Sequence, residues 1–136
     1  MTLKLSPQTK ITMLDPEFVQ TINAIIRSSA DIQNGQGVII NFRDPEYSAE
    51  RGGYHPLELS ISPNGDLLYL TDFSFAGLPP FVELGIELDW NFEQDSFRQF
   101  DSFYDLECGR GLLQLYTRNF SAYQKSGVYE VEITAI

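Results

Sequence analysis

The chain contains one histidine, His55, the side chain type whose unperturbed pKa lies near neutrality. It stands near the end of the densest polar stretch, Asn41 to Pro56. Within that stretch Arg43 offers a planar fork suited to a carboxylate or phosphate. Tyr47 and Tyr54 offer flat faces tipped by a hydroxyl, and Gly52-Gly53 permits close backbone approach. Together with Asp44, Ser48 and Glu50, and with Glu58 and Asp72 from the segments that follow, these residues form the expected recognition surface. The competing reading pairs Arg43 with Asp44 or Glu50, so that the charges merely fold the loop.

Acid–base chemistry at His55 would need a carboxylate within reach. Asp72 is the candidate, and the turn at Pro63-Asn64-Gly65 decides whether the two meet. A three-residue loop is expected, with Pro63 early in a type I turn and Gly65 left-handed, because a proline beside a two-residue loop forfeits a ladder donor. That register sets Phe73 opposite His55 and puts Asp72 on the other face, near Pro56 and Glu58. A two-residue Asn64-Gly65 loop would instead pair Leu57 with Asp72, leaving Asp72 diagonal to the imidazole and able to orient it. In the expected register His55 shares a face with Leu57, Leu59 and Ile61 and reads as a buried, hydrogen-bonded core residue.

Other chemistry is thinly represented. Ser48, Ser74 and Cys108 are the nucleophile candidates, but none sits in a G-x-S-x-G elbow, and the nearest base to Cys108 is Arg110. Asp89-x-Asn91-x-Glu93-x-Asp95 has the alternating oxygens of a calcium loop, yet Gln94 replaces the turn glycine and Phe100 the bidentate acid. Gly109-Arg110-Gly111 could seat an anion on helix-terminal amides, but the rest of a phosphate-binding fingerprint is missing. One cysteine and one histidine supply neither an internal disulfide nor a zinc cluster. No metal and no cofactor are expected.

The elements that must position these groups follow from pattern. Asp15-Pro16 is a helix start, with Asp15 as N-cap and Pro16 at N1; Phe18, Val19, Ile22, Ile25 and Ile26 then mark one face of a helix over about residues 16–29. Gly37–Phe42, Leu57–Ser62 and Asp66–Phe73 read as strands, the last two as a hairpin. From Val82 to Phe92 apolar and polar residues alternate strictly, which puts Glu83, Glu87 and Asp89 on an outer face away from Leu84, Ile86, Leu88 and Trp90. A short strand over Phe97–Phe100 returns from it. Asp105 is the expected cap of a second helix with the stripe Leu112, Leu113, Tyr116, Phe120 and Tyr123, stopped at Ser126-Gly127, and Val128–Thr134 closes the chain as a strand. The expected fold is a single α+β domain over residues 1–136: a largely antiparallel sheet of about five strands with two helices packed on one face.

The chain has 136 residues, 43% hydrophobic and 21% charged, the composition of a globular domain. Its formal charge of −10 works against the phosphate neutralisation that nucleic-acid binding requires. The acids are unevenly spread: eight of them lie between Glu83 and Glu107, with only Arg98 against them. The N-terminal segment lacks an apolar run of signal-peptide length, and the sequence has no membrane-spanning stretch. A cytoplasmic protein is expected, with a basic protein or a small molecule as partner and with neither nucleic acid nor membrane; oligomeric state is left open.

Asn41-Phe42-Arg43-Asp44-Pro45, Tyr47-Ser48-Ala49-Glu50 and Gly52-Gly53-Tyr54-His55-Pro56, with Thr71-Asp72-Phe73 and Gly127-Val128-Tyr129, resemble an uncharacterised family of gammaproteobacteria, domain of unknown function 2787. The resemblance implies no established activity, substrate or catalytic residue. It does imply kinship with accessory proteins of mobile genetic elements, which favours an interaction role. The leading expectation is a small binding or protein-interaction domain using loop 43–55. The alternatives are a small hydrolase or transferase using His55 with an acidic partner, and an acidic decoy for a nucleic-acid-binding protein.

Overall fold

Asp15 caps the first helix, its carboxylate accepting the Glu17 N–H at 3.1 Å with Pro16 in the first turn. This helix, α1 (Pro16–Ser28), buries Phe18, Ile22 and Ile26 along one face. The computed structural model describes Leu5, residues 11–29, Ile32 and residues 35–136. The N-terminal segment examined for a leader and the polar stretch after α1 lie partly outside the described residues. The second helix, α2 (Arg110–Lys125), buries Leu113, Thr117, Phe120 and Ser121. Thr117 and Ser121 enter the core because each hydroxyl donates to the carbonyl four residues earlier, at 2.8 and 2.9 Å. Two expectations need correction here. Leu112 and Tyr123 lie off the buried face and are exposed, and Asp105 precedes a single 3-10 turn (Leu106–Gly109) rather than α2 itself.

Seven strands form one sheet, not about five. They are β1 (Val38–Arg43), β2 (Leu57–Ile61), β3 (Leu67–Ala76), β4 (Glu83–Asn91), β5 (Ser96–Gln99), β6 (Ser102–Asp105) and β7 (Glu130–Ala135). Their order is β6-β5-β4-β3-β2-β1-β7, and every pairing is antiparallel. The strand missing from the sequence reading, β6, follows a tight turn at Phe100-Asp101. Phe100 holds φ +50° there, a conformation usually signalled by Gly or Asn, so the turn carried no mark. Both helices cover one face, where Phe18, Phe42 and Phe120 meet edge to face and Trp90 is fully buried.

The β2–β3 turn has the expected three-residue form: Gly65 lies at φ +89°, its N–H reaches the Ser62 carbonyl at 2.9 Å, and Ser62 N–H reaches Asp66 O at 2.8 Å. The register expected from that turn does not persist. Ile61 pairs with Leu67 but Ser60 pairs with Tyr69, so Leu68 is an extra residue, and beyond this bulge Leu57 pairs with Asp72. A second bulge follows between β3 and β4. Asp72 pairs with Leu88 and Phe73 with Ile86, which leaves Glu87 surplus. Each bulge shifts side-chain alternation by one, and together they set the geometry of the site.

Candidate functional site

The first bulge turns Asp72 to the helix-covered face, where its side chain is 1% exposed and its Oδ2 lies 3.1 Å from His55 Nδ1. His55 is therefore not the core histidine expected; its side chain is 35% exposed. The extra Leu68 accounts for the register correction and for Asp72 standing beside the imidazole. On the other oxygen of Asp72, Tyr116 Oη donates at 2.7 Å from α2. The second bulge brings in Glu87, expected on the outer face. His55, Asp72 and Glu87 each offer a donor atom within 4.8 Å of the others'.

Loop 43–56 presents His55 through a folded turn. Asp44 is buried, and its carboxylate accepts the N–H groups of Glu46 (2.9 Å) and Tyr54 (3.0 Å). Ser48 and Gly52 form an isolated bridge, and Ser48 Oγ accepts the Arg51 N–H at 3.0 Å. Gly53 sits at φ +138°, where an added Cβ would lie 2.9 Å from Asp44 Oδ2 and 3.0 Å from Tyr47 Cα. Tyr47 packs its ring 5.4 Å from the imidazole, and its hydroxyl accepts the Phe75 N–H at 3.0 Å.

Other residues of the expected surface point elsewhere. Arg43 pairs with neither Asp44 nor Glu50; it lies 3.4 Å from Glu130 on β7, exposed. Glu58 faces the opposite side of the sheet, where it accepts the Tyr69 hydroxyl at 2.7 Å. Glu50 is exposed at the loop tip.

A cleft of about 350 Å³ opens over the His55–Asp72 pair, walled by Gly53, Tyr54, Tyr116, Asn119, Phe120, Tyr123 and Tyr129. The rings form a continuous wall: Tyr54 to Tyr123 is 4.6 Å between centroids, Phe120 to Tyr129 is 4.8 Å, and Tyr116 stacks on Phe120 at 6.5 Å. Sequence reasoning missed Tyr116, Asn119, Tyr123, Tyr129 and Glu87 as site residues. Tyr116 and Tyr123 read as core stripe; the available signal was that a buried phenol needs a hydrogen-bond partner. A larger groove of about 940 Å³ runs between α1 and α2 past Leu14, Pro16, Val19 and Leu115, but its Asp15 is already committed to capping. The chemistry converges on the smaller cleft.

The hydrogen bond that Asp72 accepts raises the His55 pKa above its ordinary value; burial opposes this, and the charges of Asp72 and Glu87 reinforce it. Burial raises the Tyr116 phenol well above its usual range, and the Asp72 charge adds to the shift. Tyr129 is raised too, chiefly by burial. The cleft wall is thus phenol around the hydrogen-bonded His55–Asp72 pair. Among the described residues Nε2 of His55 has no hydrogen-bond partner.

The model of a family described as "Protein of unknown function (DUF2787)" matches residues 16–134. The chain belongs to this family. Among solved structures, this DUF2787 member is similar to the hypothetical protein VC0508 from the VSP-II pathogenicity island of Vibrio cholerae. The two share 27% identity with a TM-score of 0.75, over 89% of this chain and 93% of that one. It is also similar to VC1805 from pathogenicity island VPI-2 of Vibrio cholerae O1 biovar eltor, at 32% identity and TM-score 0.68, over 86% and 92%. VC1805 is described as sharing structural homology with the human P32 protein. No curated protein matches. Among the described residues of this DUF2787 chain, no helix is long and apolar enough to cross a membrane.

Proposed function

We propose that this DUF2787 protein is a binding protein whose tyrosine-walled cleft takes a small polar molecule with a planar group. One observation carries the reading: four tyrosines and Phe120 converge on a floor made by the His55–Asp72 pair. Aromatic rings supply stacking area, while the hydrogen-bonded His55–Asp72 pair and the Asn119 amide supply a few oriented polar contacts, the usual composition of a small-molecule site. The volume, about 350 Å³, falls at the small end of such sites. A cytoplasmic setting fits the exposed, unpaired Cys108, and two relatives on pathogenicity islands support an accessory role on mobile elements.

Native mass spectrometry of protein purified without denaturation tests this directly, with Tyr54→Ala and Tyr123→Ala as variants. Both side chains are partly exposed, at 37% and 39%, so truncation leaves the fold intact. A retained adduct on the native chain, lost in both variants, is the expected result. An adduct equally retained by both, or none in any form together with no fragment-induced shifts at cleft residues by NMR, overturns the reading.

A second reading is proton transfer by His55. It is favoured by the placement of Asp72 on Nδ1, which orients the ring and leaves Nε2 for a reacting group.

A further inference from the structure

Three side chains bring donor atoms within 4.8 Å of one another at the base of the cleft or beside it: His55 just before β2 and Asp72 on β3, which line it, and Glu87 on β4. With Asp72 paired to Leu88, regular alternation along β4 would put Glu87 on the opposite face. The extra Leu68 turns Asp72 inward and the surplus Glu87 is itself the second bulge, so two separate irregularities serve one juxtaposition. Bulges that re-aim a side chain recur beside functional sites.

We propose that His55, Asp72 and Glu87 form a binding site for a first-row divalent metal ion such as Zn²⁺, a proposal that adds to the cleft reading above the ion its bound molecule would meet. The donors are one imidazole nitrogen and two carboxylate oxygens, a set suited to zinc, manganese or ferrous iron. The 3.1 Å between His55 Nδ1 and Asp72 Oδ2 is the span of two adjacent ligands. An ion about 2.0–2.1 Å from each sees them at roughly 95–100°, between octahedral and tetrahedral angles. Glu87 closes the set by rotation about its three side-chain torsions. Tyr116 Oη, donating to the second oxygen of Asp72, is the outer hydrogen bond that holds a ligating carboxylate in place. Charge agrees: two carboxylates balance a dication, and among the described residues no Lys or Arg pairs with either. The remaining coordination positions face the cleft, because His55 lines it.

The test uses the full chain carrying Cys108→Ser, which removes the exposed thiol as an adventitious ligand. The protein is stripped with chelator, then titrated with ZnCl₂ by calorimetry and with Co²⁺ by visible absorption. One Zn²⁺ per chain is expected, weakened at least about ten-fold by Glu87→Gln and by His55→Gln and unchanged by Glu132→Gln. Glu87→Gln conserves shape, and circular dichroism confirms that it is folded. Absence of saturable binding at one equivalent, or undiminished affinity in both ligand variants, overturns the metal site. The cleft reading fails separately, through Tyr54→Ala and Tyr123→Ala, which leave all three donors in place.

Discussion

Tyr116 on α2 donates to Asp72 on β3 at 2.7 Å, so the second helix is tied to the sheet by a hydrogen bond to a buried carboxylate. Packing alone does not require that contact, since Tyr116 also lies against Trp90 and Phe120. Its removal should therefore be felt as electrostatics rather than as lost volume.

Tyr116→Phe deletes the donor and leaves one oxygen of a 99%-buried carboxylate short of a partner. The expected cost is about 1.5–3 kcal/mol, the range for hydrogen bonds to charged groups. Urea unfolding followed by circular dichroism measures it; a change within about 0.5 kcal/mol would show that water replaces the phenol.

Gly52 and Gly53 both lie at positive φ, but only Gly53 is crowded. Gly52→Ala meets open space and should cost about 1–2 kcal/mol for the left-handed backbone alone. Gly53→Ala adds a collision with Asp44 Oδ2 and Tyr47 Cα, so it should destabilise more and shift the amide resonances of Tyr54 and His55. Thermal melts of the two variants side by side settle the order.

Trp90 stacks on Phe97 at 5.4 Å and donates from Nε1 to Gly109 O at 2.9 Å. A Cβ on Gly109 would stand 2.7 Å from that nitrogen and from the Phe97 ring. Gly109→Ala should cost about 1–3 kcal/mol as overpacking. As Trp90 is the single tryptophan, the native emission should also move to the red, a change that fluorescence reads without interference.

Tyr69 carries a pH dependence whose sign is fixed by its surroundings. Burial, then its hydrogen bond to Glu58, raises its pKa from the ordinary 10.0. A raised folded-state value means that the stabilisation is whole below the unfolded pKa near 10 and declines as pH rises beyond it. Between about pH 9 and 11 the native chain should lose stability more steeply than Tyr69→Phe. Parallel slopes in denaturant midpoints would rule Tyr69 out as the cause.

Much of the frame was legible in residue pattern. The Asp15-Pro16 start, the apolar face of α1, the existence of β4 and the Pro63-Asn64-Gly65 turn all depend on local chemistry, and each appears in the structure, although the alternation of β4 is broken by the bulge at Glu87 and leaves Leu84 exposed. The site was not legible for the same reason. A bulge is a mismatch in residue count between neighbouring strands; Leu68 follows another leucine and Glu87 fits the period-two run of β4, so neither betrays it. Strict alternation consequently sent His55 into the core and Asp72 and Glu87 outward. The β5–β6 hairpin was hidden by another local exception, the left-handed Phe100.

Leu68 makes the floor of the cleft depend on strand length as well as on residue identity. Losing a single codon there would keep every donor in the chain and leave the turn chemistry intact. It would nonetheless rotate the Asp72 carboxylate through the sheet to the far side, away from His55. Conservative replacements at that position should pass almost unnoticed, whereas an in-frame deletion would act as a null allele of the site.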